Sequence, residues 1–209
     1  MYDREKFLKA LENKGYKARY FATGKEAADY VCSQVKGCTV GFGGSATIEE
    51  LDLVDRLAEN NTCFSPEMKY RPKELTFNEA ALDTLRTDVF LLSVNGAAED
   101  GTLVNIDGTG NRVGSSLFGH KKVYFIFSEN KVMPTLDEAV ERARNVASPK
   151  NAAFLECRTP CAVKGDKCYD CSSPDRICNA MVIYMHAMEG TEMEVVLAEQ
   201  IVCPLELHH

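Results

Sequence analysis

A run of five cysteines is the most chemically distinctive part of the sequence. The segment CRTPCAVKGDKCYDCSSPDRICN begins at Cys157 and holds five of the nine cysteines in the chain. Four of them have the spacing C-x6-C-x2-C-x6-C, whose central C-x2-C pair can place two thiolates on one zinc or iron ion. We therefore predict a site for zinc or an iron–sulfur cluster in the cysteine-rich loop 157–178, with these ligands: Cys161, Cys168, Cys171 and Cys178.

The cellular compartment bears on whether these cysteines bind a metal or form disulfides. The amino-terminal sequence MYDREKFLKALENKG is charged from Asp3 onward and lacks the apolar segment of a secretory signal, so we expect a cytoplasmic protein. Cytosolic thiols stay reduced, which favours metal binding. A loop of reduced structural cysteines and a redox-active disulfide remain open as alternatives. Cys157 is expected to be the spare cysteine of the loop, and four others are expected to pack as small apolar residues: Cys32, Cys38, Cys63 and Cys203.

A glycine-rich loop follows the strand predicted at 39–42. Its glycines allow close backbone approach, and Thr47 with Glu50 has the spacing of a capping box that opens a helix reaching to about residue 60. Free amides at the start of a helix suit a phosphate or a carboxylate. An anion is therefore predicted to contact Gly43, Gly44, Ser45 and Thr47. The alternative is a tight turn that needs glycine only for its geometry.

A second polar loop follows the apolar run VFLLSV (89–94). Asp100-Gly101 reads as a hairpin turn, and Glu99 or Asp100 is a candidate general acid or base. Arg112 is the predicted anion partner, and Lys131 beyond a later strand could reach the same anion. The other ligand-binding candidates are Asn95, Asp107, Gly108, Thr109, Gly110 and Asn111. The alternatives are Asx caps in ordinary turns and, for Lys131, a solvated side chain.

Helical and extended patterns alternate along the chain and must position these loops. Helices are predicted at 2–13, after Thr23 and at 135–147, and buried strands at 89–94, 122–128, 180–187 and 192–199. This alternation predicts an α/β fold with a mostly parallel sheet flanked by helices, in which ligands bind beyond the carboxyl ends of the strands. The cysteine-rich loop comes before the final strands. We expect the 209 residues to form a single domain, 1–209.

The net charge argues against a nucleic-acid partner, and the hydropathy argues against a membrane-spanning helix. The formal net charge is −7 and no basic patch stands out, which argues against nucleic acid. The apolar runs are far shorter than the roughly 20 residues of a membrane-spanning helix. A small anionic metabolite is therefore the partner that the loops favour.

Several long segments of the chain resemble the LUD family, the lactate utilization proteins. They are GFGGSATIEELDL, AEDGTLVNIDGTGNRVG, FGHKKVYFIFSENKV and TPCAVKGDKCYDCSSPDRICN, and together they cover nearly the whole chain in order. The resemblance implies a fold like that of ribose-5-phosphate isomerase and the coenzyme A transferases. In the related isomerases an acidic catalytic residue lies near the position of Asn95, which cannot take a proton, whereas Lys131 matches a lysine of those enzymes.

The resemblance implies an accessory component of lactate or other 2-hydroxy-acid utilization. In that role the chain binds a small anion and an iron–sulfur oxidoreductase partner. One alternative is an independent enzyme that acts on a phosphorylated or coenzyme A-linked metabolite. Another is a metal-binding structural or sensing protein whose pocket is vestigial. Zinc and an iron–sulfur cluster both remain open as the occupant of the cysteine-rich loop.

Overall fold

The computed structural model describes residues 2–201, which form an α/β structure with a six-stranded and a four-stranded sheet. In chain order the strands are β1 (Lys17–Thr23), β2 (Thr39–Phe42), β3 (Thr62–Phe64), β4 (Val89–Leu92), β5 (Gly96–Ala98), β6 (Leu103–Asp107), β7 (Lys122–Ser128), β8 (Val132–Met133), β9 (Ala180–Tyr184) and β10 (Glu192–Gln200). The helices are α1 (Arg4–Asn13), α2 (Gly24–Gln34), α3 (Ala46–Glu50), α4 (Leu53–Ala58), α5 (Phe77–Thr84), α6 (Asn111–Leu117), α7 (Leu136–Arg142), α8 (Ser148–Phe154) and α9 (Pro160–Lys164). A π-helical turn, Ala143–Ala147, joins α7 to α8.

The six-stranded sheet is parallel throughout and has the order β1-β10-β7-β4-β2-β3. From β2 the chain proceeds outward to β3, and then crosses back to β4 on the other side of β2. The direction of winding therefore reverses between β2 and β4. In open parallel sheets such a reversal leaves a crevice at the carboxyl ends of the two strands, where ligands bind.

Alternating side chains of the central strands fill two separate apolar layers. Tyr124 and Ile126 of β7 pack with α2, α3 and α4 on one face of the sheet. Val123 and Phe125 pack on the other face with α1 and the second sheet. All four side chains are fully buried, as expected for a parallel strand covered on both faces.

The second sheet has the order β8-β5-β6-β9 and is mixed. β5 and β6 form an antiparallel hairpin, β9 adds antiparallel to β6, and β8 adds parallel to β5. Its outer face packs on Ala139 of α7 and Ala143 of the π-helical turn. The hairpin positions Asn95 before β5 and Asp107 at the end of β6, so both polar residues lie at its open end.

The predicted fold class is confirmed, including the cysteine-rich segment before the last two strands. The Thr23 capping box with Glu26 forms, and the hairpin turns at Gly101 with a φ of 84°. Within residues 2–201, no helix combines the length and apolar character needed to cross a bilayer.

Two local predictions were wrong. Thr47 does not cap a helix, because α3 begins at Ala46 with Ser45 as N-cap, and Asp52 in the left-handed region separates α3 from α4. The run 180–187 is not a buried strand either. The strand ends at Tyr184 and forms the edge of the second sheet, where Met181 and Ile183 alternate on an exposed face, and Met185 just beyond it is exposed too. An apolar edge strand and a buried strand have the same residue types, so composition did not separate them.

Candidate functional site

The structure brings together three of the predicted loops at the carboxyl edge of the parallel sheet. Gly43–Thr47 follows β2, Ser93–Asn95 follows β4, and Lys131 lies just after β7. The strands β2, β4 and β7 are consecutive in the sheet, so the loops after them are neighbours. They line one cavity at the crevice where the winding reverses.

This cavity, which we call the cationic cavity, has a volume of about 110 Å³. The described residues lining it include four cationic side chains and no acidic one, although the whole chain carries a net charge of −7. Thr47, Ser93 and Asn95 supply polar, uncharged groups to the same walls. The cations are Arg112, Lys131, Arg142 and Lys150.

Lys131 is the most deeply placed of the four cations, with only 7% of the residue exposed. Its Nζ donates hydrogen bonds to Thr47 Oγ1 (3.2 Å) and Ser93 Oγ (3.1 Å). The ammonium is thereby fixed between the loops that follow β2 and β4. A buried ammonium at this position attracts an anion more strongly than a solvated one, because solvent screening is weaker there.

Arg142 and Lys150 reach the cavity from one face of a single helical segment. Arg142, Val146 and Lys150 all line the cavity and are spaced four residues apart, which places them in one row along a helix. Arg142 also donates from Nη1 to the carbonyl oxygen of Asn95 at 2.5 Å. The segment α7 to α8 is therefore tied to the start of the hairpin.

Arg112 forms the wall between the cationic cavity and a second one. Its Nη1 donates to Asn105 Oδ1 (3.1 Å), and its Nη2 donates to the Ile106 carbonyl (2.5 Å) and Asn95 Oδ1 (3.4 Å). Its Nε lies 3.6 Å from Asp107 Oδ2. Gly43 accommodates this side chain, because a Cβ there would lie 2.6 Å from Arg112 Cγ. Much of the donor capacity of the guanidinium thus goes to the protein itself.

The second cavity, which we call the outer cavity, has a volume of about 320 Å³ and shares Gly44, Ser45, Arg112 and other lining residues with the cationic cavity. Glu67 lines it and packs directly on Gly44, whose positive φ of 63° and missing Cβ leave room for the carboxylate. Burial, together with the nearby negative charge of Glu49, raises the pKa of Glu67. A carboxyl of this kind is suited to proton transfer.

The loop after β6 is held mainly by its own turn chemistry. Asp107 Oδ1 accepts hydrogen bonds from the backbone N–H groups of Thr109 (3.0 Å) and Gly110 (2.9 Å), and Oδ2 accepts one from that of Val113 (3.2 Å). Gly110 has a φ of 87° as N-cap of α6. These contacts are those of the Asx-cap alternative. Asn111, in contrast, lines the outer cavity and has a buried Nδ2 without a hydrogen-bond partner in the described part of the chain.

Glu99 and Asp100 lie at the tip of the hairpin rather than at its open end. Asp100 accepts from the backbone N–H of Thr102 and lies 3.5 Å from Lys14 Nζ, and it is exposed. Neither acidic residue lines the cationic or the outer cavity. Several strand residues separate the tip from Asn95, which at about 3.3 Å per residue is on the order of 10 Å. Their placement therefore gives no support to the predicted acid or base role.

The four predicted metal ligands line one cavity of about 240 Å³, the cysteine cavity: Cys161, Cys168, Cys171 and Cys178. Cys157 is not among its lining residues. Within residues 2–201, no three Cys, His, Asp or Glu side chains converge as they would around a single metal ion. Cys32, Cys38 and Cys63 pack against the apolar core as predicted, and burial raises the pKa of Cys63 to about 11. Cys203 lies outside the described residues.

The sequence patterns missed three residues that line the cationic cavity or the outer cavity: Glu67, Arg142 and Lys150. Arg142 lies in the predicted helix 135–147 and Lys150 just beyond it, but nothing in the sequence showed that this segment lines the cavity. Glu67 carries no local signal, since it sits in an irregular loop after β3.

Comparison with a solved structure supports the fold. A DUF162 family protein from Deinococcus radiodurans superposes with a TM-score of 0.51 at 14% identity, covering 93% of this chain and 94% of that one. Ribose 5-phosphate isomerase A from Neisseria gonorrhoeae gives a TM-score of 0.37 at 16% identity over 54% of each chain. A search of curated proteins finds no match.

The sequence itself matches the model of the LUD domain over residues 4–198, which is nearly the whole chain. This match agrees with the resemblance seen in the glycine-rich loop, the hairpin and the cysteine-rich segment. The chain belongs to the LUD domain family.

Proposed function

We propose that this chain is an accessory component of lactate or related 2-hydroxy-acid utilization that binds a small anionic ligand in the cationic cavity. Membership of the LUD domain family supports a role related to lactate utilization. The observation that carries the ligand proposal is the lining of the cavity. Four cationic side chains without an acidic one among the described residues, in a chain of net charge −7, make it a local region of positive potential.

The polar groups of the cavity suit a carboxylate that carries a neighbouring hydroxyl. Lys131 supplies a buried ammonium for the carboxylate, and a charge-assisted hydrogen bond contributes roughly 1.5–3 kcal/mol. Asn95 uses its Oδ1 to accept from the Ile106 N–H at 2.7 Å, so its amide nitrogen is left to donate to a ligand. Ser93 and Thr47 offer hydroxyls that can both donate and accept.

The anion is held by side chains rather than by a helix terminus. α3 has only five residues, and its N-cap Ser45 makes no side-chain capping hydrogen bond. The predicted contribution from helix-start amides is therefore secondary to the four cations. Gly44, Ser45 and Thr47 still line the cavity and retain their proposed place as ligand contacts.

The chain acts together with a partner that accepts electrons. Oxidation of a 2-hydroxy acid removes two electrons, and the side chains of this cavity can bind, orient and transfer protons but cannot accept those electrons. We expect an iron–sulfur oxidoreductase to be that partner. We expect the chain to work as a single domain, and the pairing of β1 with β10 in the parallel sheet supports this.

A second candidate function is an enzyme acting on a phosphorylated or coenzyme A-linked metabolite. Glu67 favours it, because its pKa is raised and it lies in the outer cavity beside the shared residues Gly44 and Arg112. A phosphate in the cationic cavity would then place the rest of the substrate toward Glu67. In this reading Glu67, rather than Glu99 or Asp100, is the general acid or base.

Isothermal titration calorimetry with L-lactate and with inorganic phosphate tests the anion site. Lys131→Met should weaken binding about tenfold or more, which corresponds to about 1.4 kcal/mol. Lys150→Gln, at a more exposed position, should weaken it roughly threefold. Lys25→Gln is the matched control, because it removes one charge from the surface of α2, where Lys25 pairs with Asp29. Equal affinities in all four proteins would place the anion elsewhere.

The same titrations, combined with a turnover assay, distinguish the two candidate functions. Preference for L-lactate over phosphate supports the 2-hydroxy-acid role. Preference for phosphate, together with loss of turnover but not of binding in Glu67→Gln, supports the enzyme.

A further inference from the structure

We propose that the cysteine cavity is the binding site of an iron–sulfur cluster, ligated by Cys161, Cys168, Cys171 and Cys178. The site is separate from the cationic cavity, and the inference does not rest on the function proposed for that cavity. It rests on the way the four thiols are arranged, on their hydrogen bonds and on the charges around them.

The arrangement of the thiols favours a cluster over a single ion. Zinc binds sulfur at about 2.3 Å, so two sulfurs on one zinc are at most about 4.6 Å apart. The four cysteines instead surround a cavity of about 240 Å³, and no three ligand-type side chains among residues 2–201 converge on one point. Four thiols that line one cavity without converging on a single point suit a centre of several metal and sulfide ions better than one ion.

Three of the four sulfurs have a polar hydrogen-bond partner. The backbone N–H of Asp170 donates to Cys168 Sγ (3.3 Å), and the guanidinium Nη2 of Arg176 donates to Cys178 Sγ (3.4 Å). The hydroxyl of Thr159 lies 3.2 Å from Cys161 Sγ. Donors of this kind stabilise negative charge on cluster ligands and help to set the reduction potential.

The backbone of the C-x2-C turn allows the hydrogen bond from the Asp170 N–H to Cys168 Sγ. Asp170 adopts a φ of 46°, which is uncommon for a residue other than glycine. The turn directs the Asp170 N–H back toward Cys168, as successive amides do in anion-binding turns. The turn is anchored by the hydrogen bond from the Cys168 N–H to Asn145 Oδ1 at 3.0 Å.

Arg176 adds a buried donor without a partner. Its Nη1 and Nη2 donate to the carbonyl oxygens of Cys171 (2.7 Å) and Cys178 (2.8 Å), which fixes the guanidinium at the wall of the cavity. Its Nε is buried and has no hydrogen-bond partner in the described part of the chain. A cluster sulfide would satisfy this donor. Arg144 also lines the cavity, although its Nη2 lies 3.5 Å from Asp170 Oδ1, so the two guanidiniums would offset part of the negative charge of thiolate ligands.

Hydrogen bonds hold the cysteine segment beside the outer cavity. Asn179 donates from its backbone N–H to the Asp107 carbonyl and from Nδ2 to the Gly108 carbonyl, both at 2.9 Å. Ile106 and Ile177 line both the cysteine cavity and the outer cavity. A cluster at this position would therefore lie next to the outer cavity with an apolar wall between them.

Anaerobic reconstitution of the full chain with ferrous iron and sulfide tests the site. We expect about two or about four irons, with matching sulfide, per chain. Cys171→Ser should lose most of the bound iron and sulfide and the visible absorption of the cluster. Cys157→Ser is the matched control, because Cys157 lies in the same segment but does not line the cavity, and it should retain full occupancy.

Two further readouts keep the test decisive. Circular dichroism of the apo proteins shows whether Cys171→Ser retains the fold. If it does not, resonance Raman spectroscopy of the reconstituted wild-type chain should show iron–thiolate stretching bands. Absence of stable iron and sulfide in the wild-type chain, stoichiometric zinc in place of iron, or equal losses in the two cysteine variants would overturn the proposal.

Discussion

Lys131 Nζ donates a hydrogen bond to Thr47 Oγ1 at 3.2 Å and thereby links the loop after β7 to the loop after β2. The two loops are separated by β4 in the sheet, and Ser93 after β4 accepts a second hydrogen bond from the same ammonium. One buried cation thus connects the ends of three parallel strands. All three residues line the cationic cavity, which is the site proposed for the anion.

Arg112→Ala should destabilise the protein. The substitution removes the donors that Arg112 supplies to the Ile106 carbonyl, Asn105 Oδ1 and Asn95 Oδ1. The two amide oxygens keep one backbone donor each, so the Ile106 carbonyl loses most. Loss of a partner from a buried polar group costs roughly 1–3 kcal/mol. Urea unfolding followed by circular dichroism measures the change.

The control for Arg112→Ala is Arg86→Ala. Arg86 is exposed, and surface substitutions of this kind usually change the free energy of unfolding by less than about 0.5 kcal/mol. Equal stability of the two variants would mean that the hydrogen bonds of Arg112 contribute little.

Gly108→Ala should destabilise the chain by crowding the cysteine segment. A Cβ at residue 108 would lie 3.0 Å from both the Cα and the carbonyl oxygen of Ile177, and backbone cannot yield as a flexible side chain can. Overpacking of this kind costs typically about 1–3 kcal/mol. Gly114→Ala is the control, because a Cβ there meets nothing within 4 Å and alanine favours the helix α6 by up to about 1 kcal/mol. Thermal unfolding that shifts in opposite directions for the two variants would agree with this prediction, and a neutral Gly108→Ala would disagree with it.

Glu67→Gln should become more stabilising as the pH rises. The pKa of Glu67 is raised in the folded chain, so its protonated form is favoured by folding. The stability associated with that proton is complete below the unfolded pKa and is lost as the pH rises through the folded pKa. Glutamine resembles the protonated carboxyl at every pH, so the variant does not lose this stability as the pH rises. The difference in unfolding free energy between variant and wild type should therefore grow from pH 4 to pH 8, and a difference that is constant across this range would contradict the raised pKa.

The purified chain should not reduce a dye at the expense of L-lactate on its own. The sequence carries no flavin or nicotinamide fingerprint that we recognise, and two-electron oxidation of the substrate needs an acceptor. Dye reduction should appear when an iron–sulfur oxidoreductase partner is added. Sustained lactate-dependent reduction by the isolated, flavin-free chain would instead favour an enzyme that works alone.

The sequence predicted those features that depend on local pattern and on the geometry of parallel sheets. β7 and β10 are apolar runs buried on both faces, and their identity followed from composition alone. The approach of Lys131 to the glycine-rich loop followed because both come after strands of one parallel sheet. The spacing of the four cysteines predicted a metal site. The structure shows that they line one cavity, but within residues 2–201 no three ligand-type side chains converge on one point.

Other parts of the site depend on packing between distant segments. Lys150 reaches the cavity only because the helical segment from α7 to α8 crosses the sheet edge, and no local pattern specifies that crossing. Glu67 approaches Gly44 from an irregular loop after β3. Glu99 and Asp100 at the hairpin turn were predicted as acid or base from their residue types alone. The hairpin instead places Asp100 near Lys14, away from the cationic and outer cavities.

A crystal structure of the chain grown with L-lactate tests whether the cationic cavity is the ligand site. We predict that the lactate carboxylate lies in the cationic cavity, within hydrogen-bond distance of Lys131 Nζ, with Asn95 and Lys150 beside it. Lactate bound at another site, with the cationic cavity holding only water at saturating ligand, would contradict this prediction.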